Sequence, residues 1–422
     1  MRLARLARRV AALAVVAVAS GGCGGDSAPA GERIAAPEPS AVAGSEVASR
    51  AVDAPPGPGR RRPAPRRIVA PTCAWLLAHQ AEDGRWSAAE PGTACEGKAV
   101  STPTVDGGSS PDGDVGATAL AVLAFLSAGF TNRSDGPEGA AVTRAIGWLR
   151  SEQQADGSFG ARPLSGGLAD QAVAVRSWVE VQAMTGSAAQ RPVAQRAVRA
   201  LLASRRPDGT WGRAVGSTSA DPRATAWGLR VLVVAGVVDR AERRAGRVAV
   251  YELGDDVRHS VLRLLEDEAT PIDLATRAQL RLAVGIPRAV DPWFHRAIRE
   301  LEQAVPTVDA VRQDLEGWWA RFGLLRAAGH GPGEAWERAL FEAIARLSRT
   351  DGDVCGARGS VDPDAGAREH GGRVASTAMG VLLESLCWTC TPSDLRWLPS
   401  DGPNSGERGP AADGEGTADG AK

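Results

Sequence analysis

"WLRSEQQADGSFG", residues 148–160, is the stretch whose reading decides the fold. It leaves an apolar turn, passes a pair of glutamines, reaches Asp156-Gly157 and stops on Phe159. A catalytic signature normally occurs once, whereas an architectural joint recurs at a fixed period. This one recurs. "WLLAHQAEDGRWS" at 75–87 superposes on it without a gap, placing Gln80 on Gln153, Gly84 on Gly157 and Trp86 on Phe159. "LLASRRPDGTWG" at 201–212 keeps Gly209 and Trp211, and "IARLSRTDGDVCG" at 344–356 keeps Gly352. The four glycines are separated by 73, 52 and 143 residues, the last interval being close to three periods of about 50, the length of a helical hairpin repeat. The motif therefore reads as structural: it ends the first helix of each hairpin, with Gly at C′ in the left-handed conformation and the aromatic pinning the departing chain.

A second marker fills the long interval. Asp114, Asp170, Asp221, Asp273 and Asp314 each open an Ala/Val/Leu-rich stretch, and "GGRVASTAMGVLLESL" at 371–386 is a sixth such stretch without the acid. Asp is a favoured N-cap because its carboxylate accepts free backbone N–H groups and its charge suits the positive helix end. Ahead of each stretch lies a more amphipathic segment: 69–80, 140–154, 191–204, 257–267, 292–304 and 334–349. Paired, they predict six helical hairpins in an all-α fold, with the amphipathic helices outside and the apolar ones inside. Hairpins stack as an open solenoid or close into a ring. Uniformly apolar second helices favour closure, an (α/α)6 toroid whose inner N-termini gather the five aspartates as an acidic crown at one mouth.

The flanks read differently. Residues 1–22 carry the basic n-region and short apolar h-region of a bacterial export signal, too short to span a membrane as a helix. "SGGC" ending at Cys23 resembles a lipoprotein processing site, so Cys23 is the candidate for lipidation and N-terminal membrane attachment; plain secretion is the alternative. Residues 23–67, closing on Arg60, Arg61, Arg62, Arg66 and Arg67, and residues 399–422 have no periodic apolar face and are expected to be disordered around a folded region at 68–398. A cell-envelope location follows from the leader. The formal net charge of −1 offers no broad positive face for nucleic acid. Among the cysteines beyond Cys23, Cys73 and Cys95 flank the first joint and are placed to bridge; Cys355 is placed to pair with Cys387 or Cys390.

"WLLAHQAEDGRWS" and "WLRSEQQADGSFG" resemble the Gln-Trp repeats of squalene and hopene cyclases and of protein prenyltransferase β-subunits. "DVGATALAVLAFLSAGF", "GEAWERAL" and "GRVASTAMGVLLE" resemble bacterial exported proteins with prenyltransferase/squalene-oxidase-type repeats. The resemblance covers roughly residues 70–390 and implies the (α/α)6 fold and an apolar or isoprenoid-like ligand, or a protein partner, without fixing an activity.

Cyclase chemistry needs an Asp-x-Asp-Asp acid, and the nearest string, Asp112-Gly113-Asp114, lacks the adjacent pair. The inner stretches offer Trp178, Trp227, Trp318, Trp319, Phe322 and Trp388, which read as packing rather than a cation box. No cofactor is expected on this reading. The zinc site of the prenyltransferases has its nearest counterpart in Asp353, Cys355 and His370, the basis of an alternative zinc-dependent prenyltransferase-like enzyme. Arg176, Arg223, Arg277, Arg281 and Arg321 would either line a diphosphate pocket or neutralise the acidic crown, and the cost of unpaired buried charge favours neutralisation. An (α/α)6 hydrolase using crown carboxylates is a further alternative, weakened by a single tyrosine in a chain that would need aromatic sugar platforms.

Overall fold

A computed structural model describes residues 71–91, 111–160, 167–328, 334–352, 355–363 and 370–388. The export signal, Cys23, the arginine-rich tether, the tail at 399–422, and Cys95, Asp353 and Cys390 lie outside the described residues. Among the described residues the fold is all-α, with thirteen α-helices and no strand.

The helices are α1 (Pro71–Ala78), α2 (Asp114–Ser127), α3 (Pro137–Ser151), α4 (Gly167–Thr185), α5 (Arg191–Ala203), α6 (Pro222–Arg244) and α7 (Asp255–Glu266). They continue with α8 (Leu274–Ala283), α9 (Pro292–Gln303), α10 (Val308–Gln313), α11 (Leu315–Ala328), α12 (Glu334–Ala345) and α13 (Gly372–Trp388). Two classes separate by burial. Every residue from Asp114 to Leu126 in α2, from Leu168 to Ala183 in α4 and from Ala224 to Gly236 in α6 is buried. A helix that is covered all round is an interior helix. By contrast α5 buries only Val193, Ala194, Ala197, Val198 and Leu201, and α9 only Phe294, Ala297 and Leu301, the one-stripe pattern of an outer helix.

The interior helices pack in chain order: α2 on α4, α4 on α6, α6 on α8, α8 on α11, α11 on α13, and α13 back on α2. Most outer helices do not sit chiefly on the inner helix that follows them in the hairpin. α3 packs on α2, α5 on α4, α9 on α8, and α1 on α13, while α7 is shared between α6 and α8. α3, α5 and α9 thus lean on the preceding unit and α1 on the last one, whereas α12 sits on α13, the inner helix that follows it. The joints explain this, because they fasten one outer helix to the next.

In the first joint Gln80 Nε2 donates to Gly84 O and to Ala141 O of α3, both at 2.9 Å, and Arg144 of α3 donates to Gln80 Oε1. In the second, Gln153 Nε2 donates to Gly157 O (3.3 Å) and to Val193 O of α5 (3.0 Å), and Arg196 of α5 donates back to Gln153 Oε1 at 2.6 Å. Each glutamine satisfies its own turn and the neighbour's backbone together. The indoles turn inward: Trp86 Nε1 donates to Leu76 O (2.7 Å) and Trp211 Nε1 to Leu201 O (3.0 Å), both ten residues upstream.

The joint glycines are not helix C′ residues. Gly84, Gly157 and Gly209 each lie six residues past the end of a helix and close a tight turn by donating to Ala81 O, Gln154 O and Arg206 O, all at 2.9 Å. Their φ angles of 100°, 91° and 91° are in the left-handed region that favours glycine. Close approach adds a second demand: a Cβ on Gly84 would stand 2.5 Å from Arg144 O, and one on Gly157 2.8 Å from the Arg196 carbonyl carbon.

The predicted Cys73–Cys95 bridge does not form. Cys73 is a free thiol facing the core, 1% exposed, with its pKa pushed up by burial and by the charges of Glu384 and Glu138. Cys355 is disulfide-bonded; neither of its expected partners, Cys387 and Cys390, has a described side chain.

Candidate functional site

The five aspartates divide into two groups. Asp221, Asp273 and Asp314 accept from the backbone N–H three residues on, at Ala224 (2.7 Å), Thr276 (2.8 Å) and Gly317 (3.0 Å), and so cap α6, α8 and α11. Asp114 and Asp170 do not cap their helices. Asp114 is itself the first residue of α2 and accepts from Ala88 N of the first joint at 2.7 Å, with Arg85 Nε 3.3 Å away. Burial outweighs these partners and lifts its pKa to about 6. Asp170 is one turn inside α4, fully buried, 3.4 Å from Arg223.

The register explains the difference. The N–H groups of Trp86, Phe159, Trp211 and Val361 are received by Thr118, Gln171, Thr225 and Thr377, at 2.9, 3.0, 3.2 and 3.0 Å. These four polar side chains, from α2, α4, α6 and α13, are the equivalent positions of the repeat. Asp170 precedes Gln171 directly, so it is equivalent to Ala117 and Ala224, not to Asp114 or Asp221. A crown of five equivalent carboxylates is therefore replaced by three caps, one joint clamp and one interior ion-pair partner.

That interior partner belongs to a charged layer on α4, α6, α8 and α11. Arg223 Nη2 is 2.7 Å from Glu316 Oε1, and Glu316 Oε2 accepts from Trp227 Nε1 at 3.3 Å. Burial works against both charges, but the pairing outweighs it: Arg223 is held above and Glu316 below its ordinary value. About two turns deeper, Arg176 pairs with Glu180 at 2.5 Å and donates to Arg230 O at 3.3 Å. Both members are almost wholly buried, and burial pushes the Glu180 pKa up against the attraction of Arg176. Arg230 donates to Thr276 Oγ1 at 2.6 Å. Its guanidinium lies 5.1 Å from the centroids of Trp227 and of Trp319, two rings stacked at 5.7 Å with an interplanar angle of 16°. The aromatic faces available for a cation already hold the protein's own.

Three guanidiniums, Arg176, Arg223 and Arg230, are accompanied here by three carboxylates, Asp170, Glu180 and Glu316. The layer is internally balanced, so it presents no surplus of positive charge to a diphosphate. The other candidate arginines are also engaged. Arg277 donates to the carbonyls of Leu265 (3.0 Å), Asp267 (2.8 Å) and Thr270 (2.8 Å) at and just past the end of α7; Arg281 pairs with buried Asp291 (2.9 Å), and Arg321 with Asp314 (2.9 Å). Glu180, Arg230 and Glu316 were not anticipated. The i, i+4 spacing of Arg176 and Glu180 inside an apolar run was the available signal.

Trp178, Trp227, Trp318, Trp319 and Phe322 are buried, whereas the side chain of Trp388 is outside the described ones. For the zinc trio, Cys355 is disulfide-bonded and offers no thiolate in that state, Asp353 is outside the described residues, and His370 immediately precedes the glycine pair that opens α13. Among the described residues no three His, Cys, Asp or Glu side chains are grouped as a metal site requires. No described helix is long and apolar enough to cross a membrane. No family model matches the chain, and no curated protein matches it.

Proposed function

We propose that the six hairpins close into an (α/α)6 toroid and that the protein is an exported, cell-envelope binding protein of terpenoid cyclase/prenyltransferase-like architecture. It holds an apolar or isoprenoid-like molecule, or a protein segment, without the ancestral chemistry. The observation that carries the closure is the packing of α13 on α2 together with that of α1 on α13. In an open stack of hairpins the first and last inner helices would not meet.

The non-catalytic reading is supported by the balanced interior. Arg223 and Glu316 are the partly exposed members of the charged layer, at 20% and 29%, and beside them stand Trp227 and Trp319. Both rings are buried and already hold the Arg230 guanidinium, so what this region offers a ligand is the partly exposed, mutually neutralised Arg223–Glu316 pair set in apolar walls, which suits recognition of a largely apolar molecule better than chemistry on it. It supplies no unpaired carboxylate of raised basicity beside a second one. Asp114, whose pKa burial raises to about 6, is tied to the joint through Ala88 N. Zinc-dependent transfer through Asp353, Cys355 and His370 would require Cys355 to leave its disulfide.

Native mass spectrometry of the full-length exported protein, with metal analysis, tests this reading. A co-purifying adduct of lipid-like mass without stoichiometric zinc is the expected result. Stoichiometric zinc that disappears in Cys355→Ala would replace it with the transferase reading, and a chain free of adduct and metal would leave only a protein partner.

A further inference from the structure

Gly236 sits near the middle of α6 and is buried, yet an added Cβ would meet nothing nearer than Arg240 Nη1 at 3.9 Å and Leu253 Cδ1 at 4.0 Å. Most other glycines inside helices lie against a neighbour: a Cβ on Gly116 would strike Asp170, on Gly228 Trp211, and on Gly380 Val361. Glycine weakens a helix interior relative to alanine. At Gly236 no close contact requires that weakness, and what the missing side chain leaves is space.

The space is a half-open groove of about 100 Å³ between α6, α7 and α8, walled by Leu232, Leu253, Val257, Val261 and Val284. At its rim are Arg240 and Arg258. Arg240 donates to Ala283 O at 3.2 Å, and the charges that bear on it are those of Arg244 and Arg258, both repulsive. Arg258 forms an ion pair with Asp255, whose side chain is 77% exposed and so free to yield its place to another carboxylate. An aliphatic floor under a group of arginines is the chemistry that receives an apolar chain ending in an anion. Arg240 differs in this from the guanidiniums of the charged layer: among the described residues no carboxylate pairs with it, whereas Arg258 already has Asp255.

We propose that this groove is a binding site for an aliphatic carboxylate, with the hydrocarbon over Gly236 and the carboxylate between Arg240 and Arg258. A cavity of about 150 Å³ holds a benzene ring. The smaller volume here takes roughly four or five carbons, and a longer chain emerges through the open side. The site stands independently of any ligand in the toroid interior.

Hexanoate titrated into the full-length protein, followed by calorimetry, tests the proposal. Affinity should rise about fourfold per methylene from butanoate to hexanoate and then level off. Hexanol and hexylammonium should bind at least about tenfold more weakly. Gly236→Ala should fold with an unchanged or higher Tm and weaken hexanoate several-fold, Gly236→Val should weaken it further, and Arg240→Met should bring hexanoate down to the level of hexanol. Equal binding of hexanoate, hexanol and hexylammonium would overturn the proposal. So would undiminished affinity in folded Gly236→Ala, or no hexanoate binding at millimolar concentration.

Discussion

Thr72 in α1 donates its hydroxyl to Glu384 Oε2 in α13 at 2.6 Å, joining the first described helix to the last across 312 positions of chain. Around this bond Trp75 Nε1 donates to Gly356 O at 2.9 Å, and the His79 ring stacks on Trp75 at 3.9 Å with Nδ1 2.7 Å from Trp75 O. Burial raises the Glu384 pKa from 4.5 to about 7, with the Thr72 hydrogen bond opposing it.

The sign of the resulting pH dependence is set by proton binding. Between about pH 4.5 and 7 folded Glu384 keeps a proton that the unfolded chain releases, so its stabilising contribution is full below pH 4.5 and lost as pH rises through 7. The shift corresponds to at most about 3 kcal/mol. Glu384→Gln, which can still accept from Thr72, should flatten the decline of Tm between pH 5 and 7.5 and be more stable than the parent at pH 8. A parallel decline in both proteins would show that Glu384 does not titrate in that window.

The joints predict a graded glycine series. Gly157→Ala puts a Cβ at φ 91° against the Arg196 backbone and should cost at least about 3 kcal/mol. Gly352 has φ 82° but open space around its missing Cβ, so Gly352→Ala should cost only about 1 kcal/mol. Urea denaturation of the two variants, each with an unchanged m-value, reads the difference.

The recurrence of Gln80/Gly84/Trp86 at Gln153/Gly157/Phe159 made the joints legible in the sequence, because a repeated turn needs the same residue types each time. The split between inner and outer helices was equally readable from apolar periodicity. Less visible was the register inside each inner helix. Asp170 stood at the start of a helical run just as Asp221 did, and only the contact of Gln171 with the Phe159 backbone shows it to be one turn further in. Trp227 is three residues from Arg230 on α6, but the contact of Arg230 with Trp319 joins helices 89 positions apart in the chain, which no local pattern encodes. Cys73 and Cys95 looked like a bridge because they flank a joint, but Cys73 points into the contact between α1 and α13.

Arg176 and Glu180 test the cost of the interior charges. Removing one partner leaves a buried charge uncompensated, so Glu180→Leu should destabilise by about 3–5 kcal/mol. The double variant Arg176→Met/Glu180→Leu should recover most of that loss. A double-mutant cycle by thermal denaturation checks this; additive losses would mean that the pair is not coupled.

Closure of the helical array is the central claim, and Ser127 Oγ of α2 lies 2.9 Å from Ser385 Oγ of α13. In Ser127→Cys/Ser385→Cys, a disulfide should form between these positions on oxidation, detected by peptide mapping under non-reducing conditions, with native helicity and a raised Tm. Persistent free thiols at both positions in the folded, oxidised protein would contradict the ring and place the two ends of the array apart.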